Sequence, residues 1–208
     1  EPATAHAGAS AASHLYFAEG FTGQGTQVNF AESLAILNTN PITATGQIQY
    51  FLGNGSSNTV PITISPRARL SEDVLTDVGA DQQVSALVEA NQQVLVLADQ
   101  PIAAERTLYW GAGAGSAKYG TAVNAGISGP SAQWLFPYAS TANGDQVFLA
   151  MSDPNSVEAH VRLTLYDDKG PLAAAPTSTV EPGTRATLTL PSNLGADGGV
   201  VSVVVSSD

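Results

Sequence analysis

The feature that most constrains this chain is an alternation of apolar and polar side chains with a period of two. Ile48, Tyr50 and Leu52 alternate with Gln47 and Gln49, and Val60, Ile62 and Ile64 with Pro61 and Thr63. The pattern returns at Val161, Leu163 and Leu165, and again at Ala186, Leu188 and Leu190. Successive side chains of a strand point to opposite faces, so each set offers one apolar face to a core and one polar face to water. Turn signals separate the sets: Gly53-Asn54-Gly55, Asp153-Pro154-Asn155, Asp167-Asp168-Lys169-Gly170 and Glu181-Pro182-Gly183. Short strands with turns about every ten residues predict a sandwich or a barrel. Composition agrees. Charged residues make up only 12% of the 208, against a usual share of about 25%, too few to wet the outer faces of long amphipathic helices.

The alternation also repeats along the chain. His14-Leu15-Tyr16-Phe17 resembles Gln133-Trp134-Leu135-Phe136, and Leu37-Asn38-Thr39-Asn40-Pro41 resembles Met151-Ser152-Asp153-Pro154. Val78-Gly79-Ala80-Asp81 matches Leu194-Gly195-Ala196-Asp197, and Val84 to Val88 matches Val201 to Val205. Four matches in one order predict two copies of one module. Between them runs a Gly/Ala/Ser-rich stretch from Gly111 to Pro130, the expected linker. The predicted organisation is an N-terminal extension over 1–13, a first module over 14–120 and a second over 121–208.

Leu15-Tyr16-Phe17-Ala18-Glu19-Gly20-Phe21-Thr22-Gly23, Leu34 to Asn38 ahead of Pro41, and Asp99 to Arg106 running into Leu108-Tyr109-Trp110 carry a resemblance. Together they are similar to the "YFAEG…LLNP…PIVAER" repeat modules of large secreted bacterial surface proteins. The resemblance covers the first copy well and the second loosely. It implies two tandem immunoglobulin-like β-sandwich domains, a secreted or cell-surface location and a scaffolding or adhesive role; it supplies no active site. Glu1 in place of Met fits a cleaved leader, as expected of a secreted chain.

Several function classes are disfavoured. Eighteen acidic residues against seven basic ones give a formal charge of −11, a field that repels phosphate backbones and anionic lipid headgroups. Neither nucleic-acid binding nor membrane insertion is expected. With no cysteine there is no disulfide, zinc knuckle or thiol chemistry. His6, His14 and His160 lack partners at metal-ligand spacing, and no cofactor is expected. There is no Gly-x-Ser-x-Gly elbow. Glu19 and Glu105 are the only candidate carboxylate pair, and an ion pair of either with Arg106 is the better account of them. Asp167-Asp168-Lys169-Gly170 reads as a hairpin turn rather than a calcium loop, and Asn54-Gly55-Ser56 is a sequon of low weight. The chain is not expected to be an enzyme.

Two features point to assembly instead. The stretch from Gln92 to Trp110 in the first copy has no counterpart after Val205, so the second module is expected to lack its last strand and to expose Val201, Val203 and Val205 as an open edge. Ala3, Ala5, Ala7, Ala9 and Ala11 alternate with Thr4, His6, Gly8, Ser10 and Ala12, a candidate donor strand for that edge in a neighbouring copy. The expectation is an extracellular subunit that assembles head-to-tail with itself into a filament or surface array. The alternative is a monomeric adhesion module for glycans or other surface proteins, with Trp110, Trp134 and Tyr138 as an aromatic platform.

Overall fold

A computed structural model describes residues 11–24, 29–90, 101–111, 119–142, 145–172, 176–192, 194–195 and 199–208. The fold is nearly all β, with 65% strand and 4% helix, and every pairing is antiparallel. Among the described residues no helix is long and apolar enough to cross a membrane. The chain divides into two compact units, Glu1–Gly129 and Pro130–Asp208.

In unit 1 the elements run β1 (His14–Phe17), β2 (Gly23–Gln24), β3 (Asn29–Asn38), β4 (Ala44–Leu52), β5 (Ser57–Ile64), β6 (Ala68–Asp73), α1 (Val74–Val78), β7 (Val84–Ala90), β8 (Ala103–Gly111) and β9 (Tyr119–Ala125). One sheet has the order β1-β7-β4-β5. In the other, β3 pairs with β6 and β2 along one side and with β8 along the other, and β9 follows β8. One core joins the two sheets: Leu15, Phe17, Ile48, Tyr50 and Val88 from the first, Leu34, Ile36 and Ala104 from the second. Period-two alternation is what makes this possible, because each strand has one face to bury. The single turn of α1 closes an end of the core with Val74, and the Asp73 carboxylate caps it by accepting from the Leu75 N–H.

The expected linker is partly strand. β9 lies inside it and pairs with β8 from Glu105 to Gly111, so the first unit extends past residue 120. Its small residues have a packing reason. Gly120 sits opposite Trp110, and a Cβ there would strike the indole ring.

In unit 2 the strands are β10 (Gln133–Ser140), β11 (Phe148–Asp153), β12 (Ala159–Asp167), β13 (Gly170–Pro171), β14 (Thr177–Val180), β15 (Thr184–Thr189) and β16 (Val200–Ser207). The larger sheet runs β10-β16-β12, and the far side of β12 is shared by β14 and β13. The second sheet consists of β11 and β15 alone. Leu163, Leu165, Val180, Val201, Val203 and Val205 form the buried core, with Leu149, Met151 and Leu188 packed against it from the smaller sheet.

Strand by strand, the two units correspond. The order β10-β16-β12-β14 repeats β1-β7-β4-β5, and the β15–β11 pair repeats β6–β3. A shared turn anchors the register: the Asn38 carboxamide oxygen accepts from the Asn40 N–H at 3.0 Å, and the Asp153 carboxylate accepts from the Asn155 N–H at 2.9 Å. Leu34 and Ile36 thereby correspond to Leu149 and Met151, one residue off the alignment that the sequence alone suggests. β8 and β9 have no counterpart among the described residues of unit 2.

That correspondence corrects the expected acceptor edge. Val201, Val203 and Val205 are not exposed on an edge; β16 lies between β10 and β12, paired along both sides, and all three side chains are buried. In unit 1 the chain leaving β7 crosses to the other sheet and pairs with β3. A strand corresponding to β8 would therefore lie beside β11, not beside β16.

Candidate assembly surface

The gap lies along β11. In unit 1, β3 is paired on both sides, by β6 and by β8. In unit 2, β11 is paired by β15, and no described residue pairs with its other side. The ladder parity shows which groups face the gap. The Leu190 N–H donates to the Val147 carbonyl at 2.9 Å, so odd-numbered residues of β11 bond toward β15. The N–H and C=O of Phe148 and Ala150 consequently point the other way, since alternate residues of an antiparallel strand bond to opposite sides.

Three other edges in this chain carry devices that discourage pairing, whereas the edge strands β9 and β14, like most of β11, carry neither proline nor charge. Pro61 interrupts the donors of β5, β6 carries Arg69, Glu72 and Asp73, and β10 carries Pro137 and a register shift between Phe136 and Ala139. Such features are how natural sheets avoid joining edge to edge. From Phe148 to Ser152, β11 has no proline and no charge.

The same gap leaves core-facing aromatics uncovered. Trp134 pairs with Val205 and Phe136 with Val203, so both rings point to the core side of β10. Their unit 1 counterparts, Leu15 and Phe17, pair with Val88 and Ala86. Leu15 and Phe17 are 0% and 5% exposed, whereas Trp134 and Phe136 are 36% and 41% exposed. In unit 1 the cover is the chain leaving β9: Gly126 lies against Leu15 and Phe17, and Ile127 exchanges two backbone hydrogen bonds with Tyr16. Unit 2 shows no such cover among its described residues.

The electrostatics of the two corresponding places differ. Arg106, brought inward by β8, is 2% exposed and its Nη2 lies 3.2 Å from the Glu19 Oε2. Glu32 is buried nearby on β3, its carboxylate against Gly20. The ion pair is thus Glu19–Arg106, and Glu105, alternating with Arg106 along β8, belongs to the opposite face. In unit 2, Val147 takes the place of Glu32, and no carboxylate follows Phe136 before Asp145. Unit 2 thus lacks the counterparts of Glu19 and Glu32, although Asp153 at the end of β11 and Arg185 on β15 are buried charged residues of its own.

Of the proposed donor residues, Ala3, Ala5, Ala7 and Ala9 lie outside the described residues, as does His6. Ala11 is exposed and outside any strand, while Ala12 exchanges backbone hydrogen bonds with Ile102 of its own unit, 2.9 and 3.0 Å long. The exposed His160 ring lies 3.6 Å from both Glu158 and Asp208, and the His14 ring 3.3 Å from Glu89. Among the described residues, no group of three or more His, Asp or Glu side chains is placed to hold a metal ion. Of the three expected platform aromatics, Trp110 lies against Gly120, Trp134 faces the core side, and only Tyr138, at 69%, is largely exposed.

Residues 122–208 match the model of a family of unknown function, DUF5719. This span contains all of unit 2. No curated protein matches the chain. Among solved structures, the chain is similar to that described as the crystal structure of Thermotoga maritima 1070, at 22% identity over 56% of this chain and 93% of that one, with a TM-score of 0.44. It is also similar to an Anabaena sensory rhodopsin transducer, at 14% identity over 46% of this chain and 95% of that one, with a TM-score of 0.36. Neither likeness is close enough to bear on function.

Sequence reasoning missed β11 and the exposed faces of Trp134 and Phe136. The signal was available in part, since β11 is apolar from Phe148 to Met151 and its one charge, Asp153, stands at its end. Locating the gap also required knowing that β7 and β8 belong to different sheets.

Proposed function

We propose that the chain is an extracellular structural subunit, built of two tandem immunoglobulin-like sandwiches, that assembles with copies of itself by β-strand addition. The observation that carries this reading is that no described residue pairs with the side of β11 to which Phe148 and Ala150 turn their backbone groups, while Trp134 and Phe136 are half-covered where their unit 1 counterparts are buried. Edges of this kind are costly to leave open and readily take up an extended segment. The low charge, the lack of cysteine and the absence of a metal-holding cluster among the described residues favour a structural role over a catalytic one. A head-to-tail contact propagates as a fibre unless its rotation closes a ring.

Sedimentation velocity of the full chain over a wide concentration range, with negative-stain microscopy, tests this reading. Concentration-dependent oligomers or filaments are expected, and a strict monomer at every concentration would overturn it. A second reading, a monomeric adhesion module for a glycan or a surface protein, is favoured by Leu135 and Tyr138 on β10, 68% and 69% exposed. It expects a monomer whose glycan-array binding is lost in Tyr138→Ala.

A further inference from the structure

Resting on the second, adhesion reading and independent of assembly, we infer that the outer face of the larger sheet of unit 2 binds an extended, neutral glycan chain stacked across Tyr138 and Tyr166. Strand pairing sets the face out. Leu135, Val204 and Thr164 stand in one row across β10, β16 and β12, and Ser202 and Tyr166 stand in the next. The shift in β10 falls between Phe136, opposite Val203, and Ala139, opposite Val201, so Tyr138 lies in the bulge that faces Ser202. Val201, Val203, Leu163 and Leu165 fill the core, which turns the alternate residues Ser202, Val204, Thr164 and Tyr166 outward. Leu135, Tyr138 and Tyr166 are exposed. The unit 1 positions that match Val204 and Tyr166 are Leu87 and Phe51, both buried, so the site belongs to unit 2.

What β10 offers is a face, not an edge. The Ser207 N–H donates to the Ala132 carbonyl, so Gln133, Leu135 and Pro137 turn their backbone groups to the other side. There the Ser131 hydroxyl already serves Gln133: the Gln133 N–H donates to Ser131 Oγ at 3.2 Å, and Ser131 Oγ donates to the Gln133 carbonyl at 2.9 Å. Pro137 has no N–H. Leu135 alone is too little to seat an added strand.

Area, charge and hydrogen bonding select the ligand. The face is two strand spacings wide and spans two rows, roughly 300 Å² with its side chains. That is well under the ~800 Å² per partner of a stable protein interface, and it suits a chain of a few sugar rings. Neither row carries a charge, and Arg162 borders Thr164 one row away. An acidic chain would meet that single guanidinium against the repulsion of a protein of formal charge −11, so the ligand is neutral. The hydroxyls of Tyr138, Tyr166 and Thr164 have no partner among the described residues and are open to sugar hydroxyls, while the tyrosine rings offer apolar faces. The Ser202 hydroxyl donates to the Pro137 carbonyl at 2.8 Å and fixes the bulge that presents Tyr138. Tyr138 and Tyr166 flank β16 on its two neighbours, about 10 Å apart by strand spacing, so an extended chain touches both.

The test titrates the full chain by isothermal calorimetry with β-linked hexasaccharides of glucose, mannose, xylose and N-acetylglucosamine, beside a glycan array. At least one of the four is expected to bind, equally at low and high salt. Tyr138→Ala and Tyr166→Ala should each weaken that binding about tenfold or more, with circular dichroism confirming their β fold. Tyr138→Phe should keep most of it, and Tyr109→Ala, at an exposed tyrosine of unit 1, should bind as the parent does. Binding to none of the four overturns this inference; an array hit elsewhere would then leave the adhesion reading standing, and a silent array would defeat its glycan form as well. Binding that survives in both alanine variants overturns the inference, and so does binding confined to acidic glycans and lost in Arg162→Ala. A glycan-free dimer that Tyr138→Ala dissolves in sedimentation velocity would assign the face to a second copy and overturn it too.

Discussion

Units 1 and 2 share one strand order, one Asn/Asp-centred turn and one set of inward positions, yet they bury those positions to different depths. Leu34 and Ile36 of β3 are fully buried, whereas their counterparts Leu149 and Met151 on β11 are only half-buried. The cause is not a poorer core sequence. Leu163, Leu165, Val201 and Val203 are as deeply buried as any residue of unit 1. Unit 2 has a complete larger sheet facing half of the smaller one, and what β8 and β9 do in unit 1 is left undone. A shared strand order can therefore bury matched positions to different depths.

The widest separation between the units should come from truncating the matched core leucines. Leu34→Ala is expected to cost about 3–4 kcal/mol, since it removes a fully enclosed side chain and leaves a cavity. Leu149→Ala should cost about 1 kcal/mol, because water already reaches that side chain. Urea unfolding of each variant checks this, and equal losses would mean that Leu149 is covered in solution.

Next in size is the buried Arg106 of unit 1. Arg106→Ala is expected to cost about 3 kcal/mol, since it strips the partner from Glu19 and empties a buried site. The corresponding region of unit 2 has no such pair to lose. A cost below about 1 kcal/mol would show that the pair behaves as an ordinary surface salt bridge.

A smaller effect tests how the two units traded one residue for another. Gly20 bonds to Val84 as Ala139 pairs with Val201. A Cβ on Gly20 would run into the Glu32 carboxylate, whereas the corresponding residues of unit 2, Ala139 and Val147, both belong to its apolar core. Gly20→Ala should cost about 2 kcal/mol, and adding Glu32→Val should recover most of it. Losses that simply add would show the two positions to be uncoupled.

The smallest separation is one of alkaline pH. Tyr50 is buried and its hydroxyl donates to the Asp77 carboxylate at 2.6 Å. Burial first, and that carboxylate second, push its pKa far above the usual tyrosine value of 10.0. The unfolded chain loses this proton near pH 10 and the folded one keeps it. Unit 1 stability should thus be unaffected by this group below pH 10 and fall by about 1.4 kcal/mol per pH unit above it. The corresponding residue in unit 2 is Leu165, so Tyr50→Phe should abolish the slope. A slope that survives in that variant would assign it to another group.

Strands were legible because alternation is a local property: Ile48, Tyr50, Leu163 and Leu165 face the cores as the period of two requires. The strand order of one unit returns in the other, but the register suggested by the sequence at Leu34 and Leu149 is one residue off that given by the turn hydrogen bonds. What could not be read was adjacency across sheets. Val201, Val203 and Val205 end the matching segment, yet in space β16 is central, because the strand that follows its counterpart crosses to the other layer. Small residues misled in the same way, since Gly120 serves a ring packed on a neighbouring strand and not a flexible tether.

The bridge at Ala12 has a mechanical consequence. Ala12 is tied to Ile102 at the start of β8, and the next residue, Ser13, accepts from the Ala90 N–H at the end of β7. Tension arriving through the N-terminus is therefore split between both layers of unit 1 within two residues. A pull applied there would load the pair of sheets in parallel, as a buckle loads two straps, before it could peel β1 from β7.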